Sequence, residues 1–129
     1  MWTYEQRTGN LTHDGTFLAA GYSGAGSGKN NPALQNVRDV GPVPQGAYTI
    51  GAPIDTEEHG PYVLPLTPAA SNDMFGRAGF LMHGDSLEHP GAASEGCIVL
   101  SRAARTDVWN SGDRELTVVD VLPYSSPAN

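Results

Sequence analysis

Apolar and polar positions alternate along Trp2-Thr3-Tyr4-Glu5-Gln6-Arg7, the pattern of a strand with one buried face, until Thr8-Gly9-Asn10 breaks it. Gly15-Thr16-Phe17-Leu18-Ala19-Ala20 resumes after His13-Asp14-Gly15, so the two runs are expected to pair as a β-hairpin with Trp2, Tyr4 and Phe17 in its core. Further strands are predicted at Ala47-Tyr48-Thr49-Ile50, at Tyr62-Val63-Leu64-Pro65-Leu66, at Gly79-Phe80-Leu81-Met82-His83, at Gly96-Cys97-Ile98-Val99-Leu100 and over 116–122. Pro65 suits an edge strand, because proline donates nothing to a ladder. Asn31 before Pro32 opens a helix of one or two turns, and Ser101 caps a second one running to Asn110 with Ala104 and Val108 on one face and Ser111-Gly112 as its stop. Residues 51–61 read as an acidic loop, 68–74 and 85–95 as polar loops, and 123–129 as a flexible tail.

The chain has 129 residues, enough for one domain with one core, and no shift in composition divides it. Sixteen glycines and ten prolines spread along it favour turns and short strands, hence a mainly β or α+β fold over 1–129. The net charge of −7, with no basic patch, is the wrong sign for a nucleic-acid partner. No apolar run is long enough to span a bilayer, and Met1-Trp2-Thr3-Tyr4-Glu5 has neither the basic nor the apolar region of an export signal.

Chemistry concentrates around the single cysteine, Cys97, in Ser94-Glu95-Gly96-Cys97-Ile98, with His83-Gly84 fourteen positions upstream. A lone cysteine forms no intrachain disulfide, so it acts through its thiolate, through metal ligation or through packing. A thiol that attacks a carbonyl needs a base, and a strand ending at His83 would deliver one. Gly96 permits a tight turn whose amide, with that of Cys97, would face a developing oxyanion, and Ser94 would hold the histidine or the substrate. The bland alternative is a buried hydrophobic cysteine. Gly21 to Lys29 is glycine-rich but lacks the spacing of a phosphate-binding loop, and reads as a flexible surface loop. His83, Asp85 and His89 with Cys97 match no usual zinc spacing, so no metal is expected. His13 and His59 are expected at the surface, Tyr22 and Tyr48 are candidates to line a cleft, and Asp85 to tune the imidazole.

Phe80-Leu81-Met82-His83-Gly84 with Ser94-Glu95-Gly96-Cys97-Ile98 resembles the histidine–cysteine signature of the YkuD-type L,D-transpeptidases. Gly41-Pro42-Val43-Pro44-Gln45-Gly46-Ala47-Tyr48-Thr49-Ile50 resembles that family's proline-containing element before a sheet strand. The span from Gly21 to Leu100 is particularly similar to the DUF2778 or Tlde1-type branch, several of whose members are antibacterial effectors of type VI secretion. The resemblance implies a compact β-sandwich or barrel with one or two short helices. It further implies an enzyme that cleaves or exchanges the terminal D-amino acid of peptidoglycan stem tetrapeptides through an acyl-cysteine, without metal or cofactor. By position, Cys97 is the nucleophile, His83 the base, Ser94 a supporting hydroxyl, Gly84 the carbonyl that orients the imidazole, and Gly96 part of the oxyanion hole.

The match departs from the family where Glu95 stands in place of a second histidine and Val99 in place of an arginine. Arg77 or Arg102 is therefore expected to supply the cation for a substrate carboxylate, with Tyr48 and Glu95 as further substrate contacts. A substrate outside the cytoplasmic membrane and a chain without an export signal imply delivery into a target cell's periplasm by a secretion machine, a secretion-apparatus contact and a cognate immunity protein. A phage-type lysis enzyme and a non-catalytic wall-binding or interaction module are the alternatives.

Overall fold

A computed structural model of the chain describes residues 1–123, and the part of the expected tail at 124–129 lies outside the described residues. Ten strands, one α-helix and two short 3-10 turns form a mainly β domain, as the composition predicts. The strands are β1 Trp2–Glu5, β2 Asn10–His13, β3 Thr16–Ala20, β4 Tyr22–Ser23, β5 Gly46–Ile50, β6 Ile54–Thr56, β7 Gly60–Pro68, β8 Leu81–His83, β9 Ile98–Val99 and β10 Glu115–Val119; α1 is Arg102–Asn110. They join in one mixed sheet in the order β3-β2-β1-β10-β5-β7-β8-β9-β4, with β6 added to β7.

Alternation builds the core. Tyr48 and Ile50 on β5, and Leu116 and Val118 on β10, turn inward while their neighbours face outward or half outward. Leu64 on β7 and Met82 on β8 meet in register and are fully buried. Helix α1 lies against β7 and β8 through Ala104 and Val108, its first turn capped by Ser101 Oγ, which accepts from Ala104 N at 3.1 Å.

Several local expectations change. The first two alternating runs do not pair with each other: β2 lies between them, antiparallel to both. Trp2 and Tyr4 are buried, but Phe17 sits on an outer strand and is 58% exposed, so it is no part of the core. His13 stacks on the Trp2 ring at 4.1 Å and is half-buried. Residues 51–61 hold β6 and the start of β7 instead of an acidic loop. Strand β7 is internal, not an edge: residues 66–68 pair with β5 and residues 64–65 with β8. Pro65 is tolerated there because it lies just past the last β5 pair, Ile50 with Leu66, and its carbonyl accepts from Gly51 N at 2.8 Å. The glycine-rich 21–29 segment is not a free loop either, since β4 pairs with β9 and Ser23 is wholly buried. The helix expected after Asn31 is one 3-10 turn, Pro32–Leu34, with Asn31 as its cap, and the final strand stops at Val119.

Strands β8 and β9 run parallel, with Met82 opposite Ile98 and His83 opposite Val99. That register brings the end of the histidine strand beside the entry of the cysteine strand, which sequence spacing alone does not establish.

Candidate active site

His83 and Cys97 line one cleft of about 410 Å³. The imidazole is 1% exposed as a residue, and its Nδ1 lies 2.8 Å from the Gly84 carbonyl oxygen. A carbonyl only accepts, so Nδ1 carries the ring proton and Nε2 is the unprotonated nitrogen. Nε2 has no hydrogen-bond partner among the described residues. The sole side-chain polar atom sealed from solvent without a partner among them is the Tyr4 hydroxyl, so Nε2 opens to solvent. Burial, opposed by the Gly84 contact and aided by the neighbouring His59 and Arg105, holds the His83 pKa below the usual imidazole value. The ring is neutral at pH 7 and fit to receive a proton.

The thiol is half-buried, and Sγ lies 3.8 Å from the Gly79 carbonyl. Burial pushes its pKa up to about 11, further raised by Glu58 and Glu95 and opposed by the Leu81 amide and the Arg77 cation. Both shifts favour the uncharged forms, a thiol and a neutral imidazole.

A buried hydroxyl shapes the turn that presents Cys97. Ser94 Oγ accepts from Gly24 N at 2.9 Å and from Gly96 N at 3.0 Å, and donates to the Cys97 carbonyl at 2.6 Å. Ser94 thus holds the cysteine turn and makes no hydrogen bond to the histidine, contrary to one of its expected roles. Because Gly96 N–H is engaged by Ser94, it is not free for an oxyanion; the Cys97 amide, just outside the β8–β9 register, is the remaining donor of the two. Gly96 is still required at its position. Its φ is +140°, and a Cβ there would meet Arg77 Nη2 at 2.4 Å. From the other side Ser23 Oγ donates to the Gly96 carbonyl and accepts from Val43 N, each at 2.8 Å, tying the cysteine turn to the proline-rich segment.

Arg77 is the second tie. Its Nη1 donates to Gln35 O at 2.6 Å and Pro42 O at 2.8 Å, and its Nη2 to Gly41 O at 2.9 Å and Glu95 O at 3.3 Å. The guanidinium borders the cleft, but its forks are engaged by four carbonyls, so it serves the wall and not a substrate carboxylate. Arg102 stands over the Tyr62 ring at 4.7 Å, in a neighbouring depression that shares His83, His59 and Glu95 with the cleft but that Cys97 does not line. Tyr48 is buried in the core, its hydroxyl donating to Pro44 O at 2.7 Å, and does not reach the cleft. Glu95 does line the cleft.

Tyr22 and Asp85 pair away from the imidazole. The Tyr22 hydroxyl donates to Asp85 Oδ1 at 2.7 Å and accepts from Ala93 N at 2.8 Å, and burial raises its pKa to about 12. Asp85 also accepts from Ser86 N and Gly91 N, so it orders the loop between the two catalytic candidates. His83, Asp85, His89 and Cys97 do not converge as a metal set; among the described residues the only such cluster is His13, Asp14 and Asp113, on the far strand group.

Sequence reasoning missed the residues that complete the cleft. His59, expected at the surface, stacks on His83 with ring centroids 4.1 Å apart, and Glu58, Arg38 and Asp39 share the lining. The usable signal was His59-Gly60 directly before an apolar strand, which marks the tip of the β6–β7 hairpin.

A family model described as the Tlde1 domain matches residues 18–122. No curated protein matches the chain.

Proposed function

This chain belongs to the Tlde1 domain family, a family of type VI secretion effectors, and we propose that it is a cysteine acyltransferase acting on peptidoglycan stem peptides. One observation carries the reading: a neutral imidazole, fixed at Nδ1 by Gly84 with Nε2 free, lines the same cleft as the only cysteine. The resemblance of the His83 and Cys97 motifs to the YkuD-type L,D-transpeptidases supplies the substrate class.

In the first half-reaction His83 Nε2 takes the Cys97 thiol proton as Sγ attacks the carbonyl of the diamino acid at position three of a tetrapeptide. The tetrahedral oxyanion is met by the Cys97 amide. The carbon–nitrogen bond then breaks, and D-alanine leaves with the proton that His83 returns to its amine. A thioester remains. Water attacking the thioester gives its proton to His83 and the carbon–sulfur bond breaks, restoring the thiol and releasing a tripeptide acid; an amine in place of water gives exchange or a cross-link.

For a family of secreted effectors the target is a competitor's periplasm, and the producing cell needs an immunity protein. Purified protein incubated with tetrapeptide muropeptides should release D-alanine and show a thioester mass on Cys97, both absent in Cys97→Ala. Identical products from the two proteins would refute the catalytic reading. Directed to the periplasm, the wild type should arrest growth while cytoplasmic expression is tolerated; equal growth in both compartments would refute the effector role.

A further inference from the structure

We propose that Arg38 is the specificity-determining residue that binds the terminal carboxylate of the peptide being cleaved; this rests on the acyl-transfer reading above. The D-alanine that leaves carries its carboxylate one residue beyond the scissile carbonyl, roughly 4 Å along the chain. Its counter-cation must therefore share the cleft with Cys97 Sγ.

Two guanidinium groups border that cleft, Arg38 and Arg77. Arg77 is 6% exposed, and four backbone carbonyls engage it. Arg38 is exposed, makes one long hydrogen bond to Gly76 O at 3.4 Å, and has no ion-pair partner among the described residues. It is the cation in the cleft with donors to offer. Arg102 lines the adjoining depression, which shares His83 and Glu95 with the cleft but not Cys97, and its guanidinium lies over Tyr62.

The backbone that carries Arg38 is held firmly. Val40 N and Gly41 N both donate to Val37 O, at 3.3 and 2.9 Å, closing a turn around residues 38 and 39. A Cβ on Gly41 would lie 1.8 Å from Leu34 O, so the turn packs directly on the preceding 3-10 segment. Arg77 grips the carbonyls of Gln35, Gly41 and Pro42 on either side of this turn and that of Glu95 beside the nucleophile. One buried arginine thus sets the position of a second, exposed one relative to Cys97. Glu58 and Glu95, which reach the cleft from other segments, repel a carboxylate from their side of it, while Asp39 shares the Arg38 turn.

Steady-state kinetics on a stem tetrapeptide and on its C-terminal amide test the assignment. Wild type should prefer the free acid, and Arg38→Ala should lose about 10- to 100-fold in kcat/KM on the acid, mostly through KM, as expected for loss of a charge-assisted pair. On the amide the loss in Arg38→Ala should be much smaller than on the acid, so the preference for acid collapses, with Arg38→Lys between the two on the acid. If Arg38→Ala keeps the wild-type preference for acid over amide, the assignment is overturned while the acyl-transfer reading stands. If wild type releases nothing from either peptide, both are overturned.

Discussion

The imidazole of His59 lies flat against that of His83, ring centroids 4.1 Å apart and planes inclined by 18°. His59 comes from the tip of the β6–β7 hairpin, with Glu58 Oε1 3.7 Å from its Nε2, so a turn remote in sequence sets the plane of the proposed base. Proximity to His59 also adds to the burial that keeps His83 neutral. His59→Ala should lower kcat several-fold and move the acid limb of the kcat/KM profile up toward the ordinary histidine value of 6.5. His59→Phe, which keeps a flat ring in place, should recover most of kcat. A pH profile unmoved in His59→Ala would show that the stack plays no part.

Cys97 should titrate as a buried thiol. Iodoacetamide should alkylate the folded protein slowly at pH 7 and about tenfold faster per pH unit, levelling near pH 11, where the thiol ionises. A preformed thiolate–imidazolium pair would instead give a rate flat across neutral pH. The sign for stability follows. The unfolded thiol ionises near 9.0 and the folded one near 11, so the favourable contribution is complete below pH 9 and is lost as pH rises through that window. His83, with its pKa lowered in the fold, works in the opposite sense and weakens the fold as pH drops below 6.5. Cys97→Ala should flatten the alkaline side of a stability-against-pH curve measured by urea unfolding.

Ser94→Ala removes one acceptor for two buried amides and one donor to the Cys97 carbonyl. The expected cost is about 2–4 kcal/mol, from buried groups left without partners. Because the lost bonds define the cysteine turn, the folded variant should also show a lower kcat with KM little changed. A stability-neutral Ser94→Ala in urea titration would contradict this role.

Tyr4 presents the opposite case. Its hydroxyl is fully buried with no partner among the described residues, and its pKa is driven upward by burial alone. Tyr4→Phe should be neutral or stabilising by about 1 kcal/mol, since it deletes an unmatched polar atom and keeps the ring. A clear loss of Tm would mean that the hydroxyl has a partner.

What the sequence made legible was local. The His83 strand, the glycine before Cys97 and the Ser101 cap each announce themselves within a few residues, through apolar runs, a φ that only glycine takes readily, and a hydroxyl at a helix start. What it concealed depends on carbonyls and on distant pairing. Every residue has a carbonyl, so nothing in the letters shows that Arg77 collects four of them, and a basic residue near a catalytic strand is naturally read as a substrate contact. Strand β6 has three residues with Ile54 exposed, too little alternation to recognise, and without β6 there is no hairpin to carry His59 to the site. Pro65 misleads for a related reason: proline limits a strand only where a partner needs its N–H, and register is a property of two strands.

The order of strands sets a timetable for folding. Strand β10 lies between β1, which it meets in parallel, and β5, which it meets in antiparallel fashion, so the last of the described strands joins the first ones to the rest of the sheet. Trp2 finds Leu116 only after more than a hundred intervening residues have left the ribosome. Until then the chain holds two strand groups without a seam, β3-β2-β1 on one side and β5 through β4 on the other. The cleft is lined wholly from the second group, residues 38–97, yet the sheet becomes continuous only once β10 is in place.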